Sequence, residues 1–458
     1  MGGARCRRKK RGSSNCRGRL PRLDGTDEPY GTGGDSCVRG PRRRKRFGNR
    51  SSCGGFRPSR RDTLRSDRRV ANCGGWSGRG PSIGCRLRAM PPPCLSHRPS
   101  VYEKNLGGAR HAGDRENSFR CGRFGNSLRR EERGMRILIV RIGAMGDAIH
   151  TLPLVNDLRD RLPKAEISWL AGPAVRRFLS GHPAVDRWVP APRKAGEVMR
   201  FLSEERKRYD VAIDAQGLIK SALLARAASS RVIGRASGFV REAPAAWVYT
   251  EPIRPRLPHI IEQNRELALP LTGPFPFEET RYDVPIDPPP EWDLLEERPV
   301  LLNIGGGWWT KLWPPEMFAA LAKRLREELD LPVGVVWGPG EETLAEKTAR
   351  MASIPIAPRT SFRELGGMFR KARLVVSGET GPLHLAVALG IPTVALIGPT
   401  SAERNGPLGS GHEVVEPEAI PCRPCYARRC IDFRCMNAIS VDKVFEAVNR
   451  IVWRQDHG

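Results

Sequence analysis

Residues 374–400, which read LVVSGETGPLHLAVALGIPTVALIGPT, constrain the fold more than any other stretch of the chain. An apolar run at 374–376 leads into a glycine-containing turn, and a helical pattern then extends from 382 to 389, where Gly390 ends it. A second apolar run follows at 393–397. Strand, turn, helix and strand in this order predict a βαβ unit, and therefore a parallel sheet.

The turn of this unit has the features of an anion-binding site. It places free backbone N–H groups and the positive end of a helix dipole at the carboxyl end of a strand, where open α/β sheets bind diphosphates. Thr380 suits the N-cap position, and Pro382 falls in the first helical turn, where its missing N–H costs least. These features alone fit an anion site and a structural turn equally well.

The positive charge of the chain is concentrated before residue 135. Residues 1–134 hold 34 of the 77 Lys and Arg residues but 11 of the 50 Asp and Glu residues, so the remainder is close to neutral. This Arg/Gly-rich segment has no periodic apolar run that could bury a face, and we predict that it is disordered. It is either a tail for nucleic acid or anionic membranes, an extension without a role, or, as we favour, the result of a start assigned too early, with Met135 as the true start.

Beyond Met135, short apolar strands alternate with amphipathic helices, including one helix predicted over about 148–162. The proline-rich stretch 270–299 interrupts this alternation, so we predict two doubly wound α/β domains. We assign residues 135–285 to the first domain, 286–298 to a linker, 299–440 to the second domain and 441–458 to a terminal helix that crosses back. There is no apolar run of 18 residues or more and no secretory signal, which predicts a soluble intracellular protein.

Several segments resemble glycosyltransferase family 9, the lipopolysaccharide heptosyltransferases. In the second domain they are ETGPLH at 379–384, ALGIPT at 388–393 and GPT at 398–400. In the first domain they are MRILIVRIGAMGDAIHTLP at 135–153, which is similar to heptosyltransferase I, and YDVAIDAQGLIKS at 209–221. The resemblance implies the GT-B fold, in which two Rossmann-like domains face each other across a cleft. The family usually has Asp or Asn where this chain has Glu379.

The resemblance implies an inverting transfer of heptose from ADP-heptose to the lipopolysaccharide inner core, either Kdo-lipid A or a heptosylated core. It also implies that the second domain binds the donor and that the first domain binds the lipid A–core acceptor at the inner membrane surface. We expect a monomer in the cytoplasm, peripheral to the cytoplasmic face of the inner membrane. The alternatives are a GT-B nucleotide-sugar epimerase, a family 9 transferase with another donor, and a basic nucleic-acid-binding protein.

Asp147 is the predicted catalytic residue. It ends the turn RIGAMGD at 141–147, and the pattern alone favours a strand-to-helix turn with Asp147 as N-cap. The resemblance implies instead that Asp147 is the general base. Inverting sugar transfer needs a carboxylate that accepts the proton of the acceptor hydroxyl as the anomeric carbon is attacked.

The predicted donor-binding residues lie in the second domain. The resemblance implies diphosphate binding by Lys311, Thr380, Gly381, Pro382 and His384, and contact with the nucleoside or sugar by Glu341 and Glu379. Three of them also have a structural interpretation: Lys311 as a solvated side chain, Glu341 or its neighbour Glu342 as an acid in the first turn of a helix, and His384 as a satisfied core residue. No Asp-x-Asp pair follows a strand, so we expect catalysis without a cofactor.

The predicted acceptor-binding residues lie in the first domain, at the ends of strands except for one that follows a loop, Arg241. They are Gly143, Gly146, Asp214, Gln216, Lys220 and Arg241. An anionic acceptor would favour basic residues there. We expect no specific binding of nucleic acid.

Four cysteines lie within fourteen residues near the C-terminus, namely Cys422, Cys425, Cys430 and Cys435. In an intracellular protein this density favours a structural zinc site or an iron–sulfur cluster over disulfides. The spacing is not the usual double Cys-x-x-Cys, and we predict no catalytic role for the cluster.

Overall fold

The computed structural model describes residues 134–277 and 280–458. The predictions made for 1–133, namely disorder and a start assigned too early, lie outside the described residues. The described residues form two all-parallel sheets, one of six strands and one of five. This is the two-domain α/β architecture that the alternating pattern predicts.

The first sheet has the order β3-β2-β1-β4-β5-β6. Its strands are β1 (Arg136–Val140), β2 (Glu166–Ala171), β3 (Arg187–Pro190), β4 (Val211–Asp214), β5 (Val232–Arg235) and β6 (Glu251–Ile253). Its helices are α1 (Met145–Ile149), α2 (Leu152–Arg161), α3 (Pro173–Leu179), α4 (Ala195–Glu205), α5 (Ile219–Ala228), α6 (Ile260–Arg265) and α7 (Leu269–Thr272). The central strands are almost fully buried, as expected for apolar runs covered by helices on both faces.

The helix predicted over 148–162 is two helices in the structure. α1 ends at Ile149, α2 begins at Leu152, and Pro153 occupies its first turn. A proline interrupts the backbone hydrogen bonds of a helix interior but fits a helix start, which accounts for the division. The division matters because α1 is a separate, short helix that carries Asp147.

The second sheet has the order β11-β10-β9-β7-β8. Its strands are β7 (Val300–Asn303), β8 (Val333–Val336), β9 (Leu374–Gly378), β10 (Thr393–Leu396) and β11 (Glu413–Val415). Its helices are α8 (Pro315–Leu329), α9 (Glu342–Ala352), α10 (Phe362–Lys371), α11 (Gly381–Ala388), α12 (Ala402–Asn405), α13 (Arg434–Asn437) and α14 (Val441–His457). β9, α11 and β10 form the βαβ unit predicted from residues 374–400.

The segment between the domains packs on the second domain. Asp287 forms an ion pair with Arg363, with 2.9 Å between Oδ1 and Nε. A β-carbon added at Gly334 would lie 2.5 Å from Trp292, which shows how closely this segment covers β8. The linker is therefore a packed segment.

The terminal helix α14 also belongs to the second domain. Its buried side chains, such as Val444, Val448 and Ile451, share one apolar core with Val300 and Val333 of the second sheet. The prediction that this helix crosses back to the first domain is therefore wrong, because its apolar face is already covered by the second. Within the described part of the chain, no helix combines the length and apolar character needed to cross a bilayer.

Candidate active site

The site is built from loops at the carboxyl ends of the central strands. In each sheet the strand order reverses beside the first strand of the domain, between β1 and β4 and between β7 and β9. Open α/β sheets bind ligands in the crevice at such positions. The segments that follow these four strands are residues 141–147, 215–217, 304–311 and 379–381. They include the predicted general base, in α1, and the predicted diphosphate loop.

Helices α1 and α11 bring the two domains into direct contact. A β-carbon added at Gly381 would lie 3.6 Å from the backbone nitrogen of Gly146. One added at Gly146 would lie 2.7 Å from Cδ2 of His384. The residue before Asp147 thus packs against the first turn of α11, so the segment of the predicted general base meets the predicted diphosphate loop.

Asp147 is held at the edge of this contact by Arg141. The two side chains form an ion pair in which Arg141 is buried and Asp147 is about one-third exposed. Arg141 Nη1 also donates to the carbonyl oxygen of Ala215 at 2.8 Å, which fixes the guanidinium at the end of β4. The Asp147 carboxylate is therefore oriented by a buried cation and still accessible.

A cavity of 750 Å³ opens beside Asp147, between the domains. We call it the arginine-lined cavity, since six basic side chains and two carboxylates line it. The basic residues are Arg141, Arg235, Arg241, Lys311, Arg404 and Arg428, and the carboxylates are Asp147 and Glu379. Such an excess of positive charge favours an anionic ligand.

Three residues that line this cavity each have one buried polar atom without a hydrogen-bond partner within the described residues. These atoms are Arg141 Nε, His150 Nδ1 and Thr400 Oγ1. Buried polar atoms are nearly always hydrogen-bonded in folded proteins. Each of these atoms is buried behind the cavity surface, so the described residues leave three polar groups in the cavity wall unsatisfied.

A second cavity of 970 Å³ lies on the other side of the 379–381 loop. We call it the glycine-lined cavity, because Gly305, Gly306, Gly307 and Gly338 contribute to its wall. Thr380 and Gly381 line this cavity, whereas Glu379 lines the arginine-lined cavity. The predicted diphosphate loop therefore stands between the two spaces.

The start of α11 leaves its first N–H groups available. Thr380 is the N-cap residue, but its side chain makes no capping hydrogen bond. Its Oγ1 instead accepts from Asn303 Nδ2 at 3.3 Å. Uncapped N–H groups and the helix dipole favour an anion at this point.

Glu341 joins the two glycine loops at the glycine-lined cavity. Its Oε1 accepts from the backbone N–H of Gly306 and its Oε2 from that of Gly338, both at 2.8 Å. A β-carbon at Gly305 would overlap this carboxylate, so glycine is required there. Glu341 therefore shapes the wall of the cavity, while Glu342 is exposed in the first turn of α9.

Lys311, Glu379 and His384 form a buried polar chain between the cavities. Lys311 Nζ pairs with Glu379 Oε2, and His384 Nε2 lies 3.1 Å from Glu379 Oε1. Lys311 Nζ also lies 4.3 Å from the ring centroid of Trp308. Burial opposes ionisation of Glu379, but the bond to His384 and the charge of Lys311 outweigh it and lower the pKa of this carboxyl.

The sequence is similar to known glycosyltransferases. The model of glycosyltransferase family 9 (heptosyltransferase) matches residues 199–434. Lipopolysaccharide heptosyltransferase 1 of Pseudomonas aeruginosa is 33% identical over 325 residues, which are 65% of this chain and 87% of that protein. The enzyme of the same name from Escherichia coli K12 is 30% identical over 299 residues, 61% of this chain and 93% of that protein.

Solved structures give the same result. The E. coli heptosyltransferase WaaC with ADP has a TM-score of 0.57 at 25% identity and covers 69% of this chain and 100% of its own. This chain belongs to glycosyltransferase family 9. E. coli ADP-heptose lps heptosyltransferase II, at 22% identity and a TM-score of 0.55, has the same fold over 70% of this chain and 100% of its own.

The predicted acceptor residues of this family 9 enzyme occupy different environments. Gln216 and Arg241 line the arginine-lined cavity. Gln216 Oε1 also accepts from the backbone N–H of Ile142 at 2.6 Å. Lys220 is exposed on α5, and Gly143 is half-buried; neither is among the residues that line the two cavities described above.

Asp214 is enclosed by the first domain. It is fully buried, and its carboxylate accepts from Ser221 and Tyr249 hydroxyls at 2.8 Å and from the N–H groups of Gln216 and Gly217. Burial raises the pKa of Asp214, and these bonds oppose that rise. With its oxygens already occupied, Asp214 shapes the loop that presents Gln216, which corrects its predicted contact with the acceptor.

Sequence reasoning missed most of the basic residues that line the arginine-lined cavity. Arg404 lies on the short helix α12 and Arg428 on an irregular loop, so neither follows a strand of a recognisable pattern. Arg235 ends β5, and that position at the carboxyl edge of the sheet is a signal that could have identified it. His150 lies within the segment 135–153 that resembles the family, but no role was predicted for it from the sequence, although it follows α1 directly.

The four C-terminal cysteines are free thiols in the structure, ranging from exposed Cys422 and Cys425 to buried Cys435. Cys430 Sγ lies 3.1 Å from the carbonyl oxygen of Asp432. Within residues 134–277 and 280–458, no group of three or more His, Cys, Asp or Glu side chains is placed to hold a metal ion. The predicted structural zinc or iron–sulfur site is therefore not supported.

Proposed function

We propose that this family 9 enzyme transfers heptose from ADP-heptose to the inner core of lipopolysaccharide. One observation carries the proposal. Gly146, next to Asp147, packs against Gly381 and His384 at the start of the uncapped helix α11. The segment that carries the Asp147 carboxylate in one domain is thus in direct contact with an anion site of the other, as a transfer between two bound substrates requires. The similarity to lipopolysaccharide heptosyltransferase 1 supports the choice of substrates.

Asp147 acts as the general base. Its accessible carboxylate takes the proton of the acceptor hydroxyl while the hydroxyl oxygen bonds to the anomeric carbon and the bond from that carbon to the diphosphate oxygen breaks. The sugar configuration inverts, and ADP leaves with the bonding electrons. Arg141 positions the carboxylate through their ion pair.

The second domain binds the donor. The diphosphate lies at Thr380 and Gly381, where the free N–H groups of α11 and the ammonium of Lys311 stabilise the negative charge that develops on the leaving group. The nucleoside occupies the glycine-lined cavity, whose wall Glu341 shapes. Stabilisation by a helix terminus and a lysine is compatible with our prediction of catalysis without a cofactor.

The first domain binds the acceptor in the arginine-lined cavity. Guanidinium groups form paired hydrogen bonds with carboxylates and phosphates, the anionic groups of a Kdo-lipid A or heptosylated core. Arg241 and Gln216 contribute from the loops of this domain. We assign residues 135–285 to the acceptor domain and 299–440 to the donor domain. We place the enzyme in the cytoplasm at the inner membrane surface and expect a monomer.

The proposal is tested by measuring ADP or UDP release by the full-length protein with a panel of nucleotide sugars, each with and without lipid A–core acceptor. We expect acceptor-dependent release of ADP from ADP-heptose. Acceptor-dependent release from another nucleotide sugar would change the identity of the donor sugar, but the protein would still be a glycosyltransferase. Conversion of a nucleotide sugar to its epimer without acceptor would overturn the transferase proposal.

A further inference from the structure

One surface of the first domain exposes large apolar side chains close together. Trp247 is 82% exposed, Leu223 56% and Ile219 40%. Ile219 and Leu223 are four residues apart on α5 and therefore project from the same face of this helix. Trp247 ends a short 3-10 helix, Ala243–Trp247. Exposed apolar groups in proximity mark sites of interaction more often than single exposed ones do.

The short helix is packed onto α5, so these side chains form one surface. Ala245 and Ala246 are buried in the same core cluster as Ala222 and Ala225 of α5. This packing fixes the backbone under Trp247 while it leaves the indole in solvent. We call the exposed side chains of Ile219, Lys220, Leu223, Arg226 and Trp247 the α5 surface.

The charge of the α5 surface is positive. Helix α5 reads IKSALLARAA and contains Lys220 and Arg226 but no acidic residue. The nearby carboxylate of Glu242 accepts a hydrogen bond from the backbone N–H of Ile219 at 2.8 Å. Apolar side chains among lysine and arginine match a bilayer with anionic headgroups, where tryptophan sits at the interface and basic residues contact phosphates.

The α5 surface adjoins the opening of the arginine-lined cavity. The segment 238–241, which leads into the short helix, contributes Phe239 and Arg241 to the cavity wall. This segment passes over the loop before α5, because a β-carbon at Gly217 would lie 3.3 Å from the backbone nitrogen of Arg241. A membrane on the α5 surface would therefore lie beside the cavity that receives the acceptor.

We propose that the α5 surface docks on an anionic phospholipid bilayer and holds the arginine-lined cavity at the level of the headgroups. The inference rests on the proposed function, since it gives the docking a purpose: the sugar of a lipid-anchored acceptor reaches Asp147 while its acyl chains remain in the membrane.

The test uses tryptophan quenching by brominated lipids, because the basic segment 1–134 can itself attract full-length protein to anionic vesicles. Full-length protein that carries Trp76→Phe, which removes the tryptophan of the basic segment, is mixed with phosphatidylglycerol/phosphatidylcholine vesicles that carry bromine on the acyl chains near the headgroups. We expect Trp247→Phe to remove most of the quenching and Trp453→Phe to retain it. Trp453 is a matched control, 61% exposed on α14 of the other domain. Equal quenching in both variants would overturn the proposal.

A second measurement separates docking from catalysis. With an acceptor embedded in vesicles, Leu223→Asp/Trp247→Asp should lower kcat/KM at least tenfold, and with a deacylated, water-soluble acceptor it should leave the rate unchanged. Equal loss on both acceptors would overturn the docking. If wild-type protein transfers heptose to neither acceptor, the proposed function fails, whatever the quenching shows. Concentration-dependent dimerisation abolished by Trp247→Ala would assign the surface to a second copy and overturn the membrane proposal.

Discussion

Gly146 of the first domain packs directly against His384 of the second, so closely that a β-carbon at Gly146 would lie 2.7 Å from Cδ2 of the imidazole. His384 in turn bonds to Glu379, the partner of Lys311. The contact therefore connects the loop of the proposed base to the proposed diphosphate site. In the proposed function, the contact at Gly146, which leaves no room for a side chain, sets the relative position of the two substrates.

Gly146→Ala should separate these loops. Over-packing a tight contact costs about 1–3 kcal/mol, which corresponds to about a 5- to 150-fold loss in kcat if it falls on the transfer step. Steady-state kinetics of ADP release measure this effect. Gly196→Ala is the control, because nothing lies within 4 Å of a β-carbon at Gly196. Wild-type kcat in Gly146→Ala would argue against a closed arrangement of the domains during catalysis.

Lys311→Met should weaken the use of the donor. A charge-assisted hydrogen bond contributes about 1.5–3 kcal/mol, so kcat/KM for ADP-heptose should fall about 10- to 100-fold. Lys347→Met, which removes an exposed pair with Glu316, should have no effect on kinetics. If Lys311→Met kept the wild-type kcat/KM, Lys311 would be only a structural partner of Glu379.

Glu341→Gln should weaken ADP binding. The amide offers one acceptor where the carboxylate offers two, and it turns an NH₂ group toward the backbone N–H of Gly306 or Gly338. A lost hydrogen bond to a charged group costs about 1.5–3 kcal/mol, and we expect calorimetry to show a Kd for ADP raised about tenfold. Glu342→Gln is matched in position and exposed, and its Kd should be that of the wild type. Equal Kd values in both variants would contradict the role of Glu341.

His150 should make stability dependent on pH. Burial lowers its pKa well below the usual value, with further lowering by His384, His259, Arg141 and Arg404. The unfolded chain takes up this proton near pH 6.5, whereas the folded protein resists it. The contribution of neutral His150 to stability is thus complete above about pH 6.5 and is lost as the pH falls toward the folded pKa.

Thermal unfolding between pH 7.5 and 5.5 tests this expectation. The Tm of the wild type should fall more steeply with acidification than that of His150→Gln, whose side chain stays neutral. His182 and His259, whose pKa values burial also lowers, remain in both proteins and cancel in the comparison. Parallel curves would contradict the assignment.

The sequence predicted the features that are determined by residues close to one another along the chain. The βαβ unit at 374–400 was predictable because strand, turn and helix signals are contiguous. The position of Asp147 at the carboxyl end of the sheet was predictable because its turn follows the first strand. Asp214 also ends a strand, but the pattern did not reveal that its side chain turns inward to Ser221 and Tyr249. Arg404 and Arg428 reach the cavity only through tertiary packing, so local pattern could not place them.

The central claim is that Asp147 removes the acceptor proton opposite a diphosphate site on the other domain. The most direct test is the initial rate of ADP release from ADP-heptose by Asp147→Asn at saturating lipid A–core acceptor, together with its Kd for ADP. We predict that kcat falls about 10²- to 10⁴-fold, as for loss of a general base, with Kd and Tm close to those of the wild type. A wild-type kcat in Asp147→Asn would contradict the claim.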